Sequence, residues 1–462
     1  MIENLLSRIE NPRSEYRGFP FYSLNADLKP DEMRRQAHIF KEMGCGGFFL
    51  HSRVGLENPY LGKDFMNALR ASIEECEKLG LHPWLYDEDR WPSGAAGGLV
   101  TKNPEYRMRH LKAEKVSSSD SIQDHEGELT LAWFALDFAD QNVLKSYRRI
   151  QKDDSVQPNE QKYRFFREID HQRSWFNDQT YLDTLNPEAV QEFIRVTHEA
   201  YYHEFGSYFG NLVPGIFTDE PTYQQGNTLP WTDKLPSEYE KNYGESLLDY
   251  LPELLYSIQN EEFSKIRLQY FNTATNLFYH SFMKQIYDWC REHHLKFTGH
   301  FLCEDFLTSQ TRCTGSAMRG YVYEDIPGMD LLTEHRMLFD AAKQCSSVAH
   351  QFGKEFRITE TYGCTGWDFP FFGHKALGDW QYALGINFRC QHLAWYSMKG
   401  EAKRDYPACI FEPSPWYKKY HYVEDYFARL GEALHMGEEQ RSILVIHPIE
   451  STWGVFAWNN FP

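Results

Sequence analysis

Two glutamates carry the strongest chemical signal in the sequence. The stretch GIFTDEP, residues 215–221, ends an apolar run on Asp219 and Glu220 just before Pro221. The stretch ITETYG, residues 358–363, ends another apolar run near Glu360 and places Tyr362 beyond it. A pair of carboxyls can divide acid and base work at a glycosidic bond. One, protonated, gives its proton to the leaving oxygen; the other, ionised, activates water or attacks the anomeric carbon. Other short apolar runs end on residues of similar character. These are His51 and Arg53 in LHSR, Asp87, Asp89, Arg90 and Trp91 in YDEDRW, and His300, Glu304 and Asp305 in GHFLCED. Glu324 and Asp325 follow in YEDI, and Trp367 and Trp395 lie near the last two runs. Acids converging with Trp and Tyr suit a sugar: aromatic faces take its C–H side, while acids and arginines bond its hydroxyls.

Each of these residues also has a plainer use. Glu220 can cap a helix or pair with a base, and Glu360 can accept from loop amides. Asp87 and Asp89 can form a solvated turn or serve an arginine. Asp219 reads as a residue that orients a neighbour. His51 and His300 fit either a satisfied polar position or a catalytic one. Trp367 and Trp395 fit core or platform, with Trp395 the better platform.

The elements that must position these residues repeat one design. An amphipathic helix, usually closed by glycine, leads into a short apolar run with polar residues at its tip. Pro30 with Asp31 and Glu32 starts such a helix, Met33, Ala37, Phe40 and Met43 fall at helical spacing, and Gly44 stops it. A run too short for a helix, without polar alternation, marks a parallel strand buried on both faces. Eight strands are predicted: Gly18–Leu24, Gly47–Ser52, His82–Asp87, Val213–Asp219, Lys296–Phe301, Gly320–Glu324, Glu355–Thr361 and Asn387–Tyr396. Eight βα units predict an α/β fold, a (β/α)8 TIM barrel, whose chemistry sits at the C-terminal strand ends. An open doubly wound sheet is the alternative.

The barrel is expected to span residues 1–440, with a β-rich insertion after strand three at 110–180, and 441–462 to start a further domain. The segment after GIFTDEP, TYQQGNTLPWTDKLPSEYEKNYG, reads as an irregular cleft wall. The segment Asn260–His294 reads as one long helix that projects beyond the barrel.

The charge balance is −18, and no long Lys/Arg run interrupts it, so nucleic acid is not an expected partner. No apolar stretch approaches membrane-spanning length, and the N-terminus lacks a signal pattern, so no membrane partner is expected. The nine cysteines are scattered, odd in number and never in C-x-x-C, which suits reduced thiols and a cytoplasmic protein; a secreted one follows if a signal once preceded the chain. No His-x-His, G-x-S-x-G, P-loop or dinucleotide fingerprint is present.

With these residues assembled, the sequence resembles glycoside hydrolase family 106, the α-L-rhamnosidases, or a relative of it. The resemblance rests on GGFFLHSRVG, WLYDEDRWPSGAAGG, YLDTLNPEAV, IFTDEP, LPWTDKLPSEYEKNYG, ITETYG and QHLAWYS, over about the first nine-tenths of the chain. It implies a glycoside or oligosaccharide substrate. It also implies Glu220 as general acid and Glu360 as general base of an inverting reaction, and a calcium ion near the sugar, with ligands not placed. A retaining enzyme with Glu360 as nucleophile and an inactive carbohydrate-binding barrel are the alternatives.

Overall fold

The computed structural model describes residues 2–117, 123–333, 338–437 and 439–460. Fifteen strands are present among them. In the first half these are β1 Phe21–Leu24, β2 Gly47–Ser52, β3 His82–Tyr86, β4 Arg109–Val116, β5 Glu128–Asp140, β6 Val143–Ile150 and β7 Gln161–Ile169. The second half adds β8 Gly215–Asp219, β9 Leu229–Trp231, β10 Ser257–Ile258, β11 Lys296–His300, β12 Gly328–Asp330, β13 Ile358–Thr361, β14 Phe388–Gln391 and β15 Ala394–Trp395.

The fold is α/β and built on parallel sheets. One parallel sheet runs β11-β8-β3-β2-β1-β15, and a second runs β12-β13-β14. An isolated parallel bridge, Thr298 to Ile326, joins β11 to the segment entering β12. At the other side β14 runs through His392 and Leu393 into β15, and the Phe19 N–H donates to the Arg389 carbonyl at 2.8 Å. Strands β1, β2, β8, β13 and β14 are buried at every residue, as apolar runs without alternation require.

The helices form for local reasons. Pro30 occupies the first turn of helix Pro30–Glu42 with Asp31 and Glu32, and Met33, Ala37 and Phe40 face the core. Helix Lys63–Leu79 ends on Gly80, whose φ of 62° is the left-handed conformation that closes a helix cheaply only in glycine. Close packing makes a different demand at Gly47. A Cβ there would lie 1.8 Å from the His82 carbonyl oxygen and 2.7 Å from the Phe19 ring. Gly47→Ala is therefore expected to cost about 3 kcal/mol or more of stability. A denaturant midpoint equal to that of the parent protein would show that the two strands can part without penalty.

Two expectations need correction. Strand six does not lie at Gly320–Glu324. Those residues complete a short helix, Ala317–Gly320, and a 3-10 turn, Tyr321–Tyr323, while the strand is β12, Gly328–Asp330, further along the chain. The tyrosine-rich stretch reads as a strand by composition, but its hydrogen bonds close locally. The segment after GIFTDEP is not irregular throughout: it contains β9 and helix Leu235–Tyr243. The stretch Arg441–Ile446 forms no strand, and Ile443 to Ile446 are exposed.

Strands β4 to β7 pair antiparallel in a sheet of order β10-β6-β5-β7-β4-β9, which recruits two short strands from beyond the inserted segment, β9 antiparallel to β4 and β10 parallel to β6. It covers a second apolar core containing Phe134, Phe165, Trp231, Tyr270 and Trp453. The long helix runs as Lys265–Phe278, a π turn Tyr279–Met283, and Lys284–Glu292. Its first half packs in this second core, and Phe278, Phe282 and Ile286 pack in the first. The helix thus extends past the parallel sheets because it must serve two cores. No described helix is long and apolar enough to cross a membrane.

Candidate active site

Strand register assembles the acids. His300 pairs across the sheet with Asp219, and Asp330 pairs with Glu360, which pairs in turn with Cys390. All lie at the C-terminal ends of β8, β11, β12, β13 and β14. Successive residues of a strand face opposite sides, so Asp219 and Glu220 would ordinarily diverge. They do not, because Glu220 adopts a left-handed φ of 46° one residue past the end of β8. The backbone turns, and both carboxylates reach the same imidazole. His300 Nε2 lies 3.3 Å from Asp219 Oδ1, 4.0 Å from Glu220 Oε1 and 3.4 Å from Glu360 Oε2.

Four further non-glycine residues with positive φ sit at this end of the sheets: Cys303 (58°), Tyr362 (75°), Cys364 (58°) and Tyr406 (46°). Each such conformation costs about 1–2 kcal/mol. Strain of this kind persists where the surroundings impose it, and it gathers at functional sites. Glu220, Cys303, Cys364 and Tyr406 line one cavity of about 490 Å³ with Glu304 and Asp330. That volume is within the range of about 300–1,000 Å³ usual for small-ligand sites.

The electrostatics divide the acids into two kinds. Burial raises the Glu220 carboxyl well above the usual range, and Asp330 and Asp219 add repulsion. Burial does the same to Glu360, reinforced by Asp330, Asp219 and Glu220. Asp219 is also penalised by burial, but its hydrogen bond with His51, the field of His300 and the Tyr86 hydroxyl more than reverse this, and its pKa is lowered. Tyr86 donates to Asp219 Oδ2 at 2.6 Å. His51 is pushed down to about 4 by burial, and His300 and His392 are lowered for the same reason, so all three are neutral at pH 7. His392 Nε2 lies 3.7 Å from Glu360 Oε1. The arrangement holds Asp219 ionised and favours protons on the two glutamates.

Of the residues expected at the site, the structure brings Glu220, Glu360, Asp219, His51 and His300 together. Arg53 joins them indirectly. Its guanidinium donates to both carboxylate oxygens of Asp405, at 3.2 Å from Nη2 to Oδ1, and lies 3.5 Å from His51 Nε2. Asp89 and Arg90 stand next to each other with Asn177, along the rim of a neighbouring cavity. Trp91 lines another cavity, and Trp367 is 41 % exposed.

Four expected contacts are not made. Glu324 accepts from the N–H of Gly328, the first residue of β12, so it lies at the opposite end of that strand from Asp330. The misplacement of strand six is the reason. Asp87 is fully buried and accepts from Ser93 Oγ at 2.6 Å. The Tyr362 hydroxyl is buried and donates to the His374 carbonyl at 3.0 Å, because its left-handed backbone turns the ring into the core. Trp395 is 1 % exposed, and Trp367 packs edge-on against it with ring centroids 5.5 Å apart. Of the two rings, Trp367 is the one open to solvent.

The sequence reading passes over Asp330, His392, Tyr86, Asp405 and Tyr406, and gives Glu304 no role beyond being one of the acids after the His300 run. Glu304 accepts from Tyr321 Oη at 2.8 Å and from the Asp330 N–H, and so fixes the turn that presents Asp330. A usable signal existed for Asp330. PGMD repeats the pattern of a short apolar run ending on an acid. For Asp405 and Tyr406, in a loop far from any strand, no such signal exists.

Among the described residues, two donor sets could hold a cation: Asp219, His300 and Glu360, and Glu220, His300 and Asp330. Neither fits calcium, which takes six to eight oxygen ligands. Each offers two carboxylates and one imidazole, and each uses a glutamate whose proton affinity has been raised.

Paired carboxyls at the ends of parallel strands are the arrangement that hydrolysis of a glycosidic bond uses. The sequence profile of glycoside hydrolase family 106, described as alpha-L-rhamnosidase, matches residues 178–404, which include Glu220, Asp330 and Glu360. Over those residues the chain is similar to that family. The rhamnosidase from Novosphingobium sp. PP1Y has a similar fold, with a TM-score of 0.69 at 13% identity over 94% of this chain and 61% of that one. A protein of Formosa agariphila, provisionally named a beta-glucuronidase, is 26% identical over 271 residues, 57% of this chain and 22% of its own length. The chain thus spans less than two thirds of either protein.

Proposed function

We propose that the chain hydrolyses a glycosidic bond, with Glu220 as general acid and Glu360 as general base, in an inverting, α-L-rhamnosidase-like reaction. The observation that carries this reading is that both glutamates, from strands far apart in sequence, approach one neutral imidazole nitrogen. The parallel strands read as one (β/α)8 barrel, closed through the Thr298–Ile326 bridge and the β14–β15 turn. In such a barrel the strand ends form the active face.

The chemistry follows from the charges. A protonated Glu220 delivers its proton to the leaving oxygen as the bond breaks. Glu360, ionised in the same microstate, draws the proton from an attacking water. Asp219 stays ionised, and its negative charge raises the proton affinity of both glutamates. His300, neutral and between them, can donate one hydrogen bond to whichever carboxylate carries charge.

A panel of aryl glycosides tests the reading, with α-L-rhamnosides first and β-glucuronides included because of the Formosa relative. Turnover of one member is expected, with a fall of about 10²–10⁴ in kcat for Glu360→Gln. Equal rates in the parent protein and this variant would remove Glu360 from the reaction. The anomer first formed, followed by NMR, separates inversion from retention with Glu360 as nucleophile.

A further inference from the structure

A second cavity of about 490 Å³ adjoins the acid cavity, and the two share Tyr406 as a wall. Trp91, Trp175, Phe176, Arg173 and Arg404 are among its other walls. The walls nearest the two tryptophans are held in place before any ligand arrives. Trp175 Nε1 donates to the Trp91 carbonyl at 2.6 Å, and the two rings meet edge to face with centroids 5.9 Å apart. The Arg90 guanidinium carbon lies 5.8 Å from the Trp175 ring.

The shared wall is fixed as well. Tyr406 lies between the Arg53 guanidinium carbon, 5.7 Å from its ring, and the His392 ring, 5.9 Å away. Its neighbour Asp405 is tied to Arg53 by two hydrogen bonds. Tyr406 is nevertheless 45 % exposed and holds a left-handed φ. A large aromatic ring kept half open, on a strained backbone, between two cavities is a surface prepared for a ligand that crosses from one to the other.

Charge narrows the ligand. Arg173 pairs with Asp170, Arg404 with Glu401 and Asp405 with Arg53. The charges at the walls are matched in pairs, leaving flat rings with polar groups at their edges. That suits a neutral pyranose, whose C–H face packs on an aromatic ring while its hydroxyls bond the rim.

We propose that this aromatic cavity binds the sugar unit on the leaving-group side of the cleaved bond, so that the substrate is a neutral oligosaccharide of two or more units. The proposal rests on the hydrolytic reading above, with Glu220 in the cavity that shares the Tyr406 wall.

The test compares two substrates that differ only on the leaving-group side: a rhamnosyl-glucose disaccharide and rhamnosyl fluoride, which has nothing to place in the cavity. Trp175→Ala is expected to lower kcat/KM for the disaccharide about tenfold and to leave that for the fluoride within about twofold. Trp175→Phe keeps a ring at the site and is expected to recover most of the loss. An equal fall for both substrates, or none for either, overturns the proposal.

A binding measurement keeps it separate from catalysis. Calorimetry on Glu220→Gln is expected to show the disaccharide binding more tightly than free rhamnose, and that advantage should vanish when Trp175→Ala is added. Failure of the disaccharide to bind, or to bind better than rhamnose, overturns the proposal. Trp175-dependent binding without turnover by the parent protein would leave the cavity assignment standing and refute the hydrolytic reading alone.

Discussion

Glu220→Gln is expected to lower kcat on the disaccharide by about 10²–10⁴, the usual worth of a positioned general acid. The side chain is close to isosteric, so the fold should survive and the substrate should still bind. The cause of the loss is specific. Burial and the nearby Asp330 and Asp219 hold a proton on Glu220 at pH values where a free glutamic acid has lost it, and an amide offers no proton of comparable acidity. The pH profile supplies the sign. Activity requires Glu220 protonated and is lost as pH rises through its raised pKa. It also requires Glu360 ionised and is lost as pH falls through that group's own raised pKa. Both limbs should therefore lie above about 4.3, the ordinary value for a glutamate. The two groups interact, so the limbs belong to the pair rather than to either residue. In Glu220→Gln the alkaline limb should disappear. Its persistence, measured as kcat/KM against pH, would assign the acid elsewhere, with Asp330 the first candidate by position.

Glu424→Ala is expected to be the most damaging single change to stability, at about 3–5 kcal/mol. Glu424 and Arg389 are both fully buried and lie 2.9 Å apart. The glutamate also accepts from Gln391 Nε2 at 2.7 Å and from the Gly18 N–H. These contacts tie helix His421–His435 to β14 and to the segment before β1, where the Phe19 N–H meets the Arg389 carbonyl. Removing the carboxylate leaves a guanidinium in a dry site with no counter-charge, and that uncompensated burial dominates the cost. Guanidinium unfolding measures it. A loss below about 1 kcal/mol would mean that water reaches Arg389. Arg389 and Glu424 lie on the packing side of β14 and outside both ligand cavities, so a destabilised variant that still folds should keep its pH profile.

Much of the parallel architecture was legible because burial on both faces leaves a plain trace. A run such as GFFLHS, with no polar alternation between a helix stop and a polar tip, has few other uses. The same rule located β8, β11 and β13, and with them Asp219, Glu220, His300 and Glu360. It failed at Gly320–Glu324, where tyrosines that pack a helical turn match the composition of a strand. That one displacement carried Glu324 to the wrong end of a strand and hid Asp330. Tyr362 and Trp395 were misjudged differently. Both follow strand ends and so looked available, but left-handed backbone at Tyr362 and close packing around Trp395 turned them inward. The second core was invisible, because β9 and β10 are three and two residues long and join their sheet only through distant partners.

The sequence by itself determined which residue types arrive at the ends of the parallel strands, since period and helix stops are local properties. It thereby determined that acids and histidines would gather there. Only the tertiary structure decided which of them meet. Register set Asp219 beside His300 and Asp330 beside Glu360. A left-handed turn brought Glu220 to the same imidazole as its neighbour. A loop residue, Tyr406, came to divide the acid cavity from an aromatic one. The physical reason is that contacts between residues far apart in sequence depend on how strands align and chains turn, and the energies that choose among alignments are sums over the whole packed interior. No short stretch of sequence contains them.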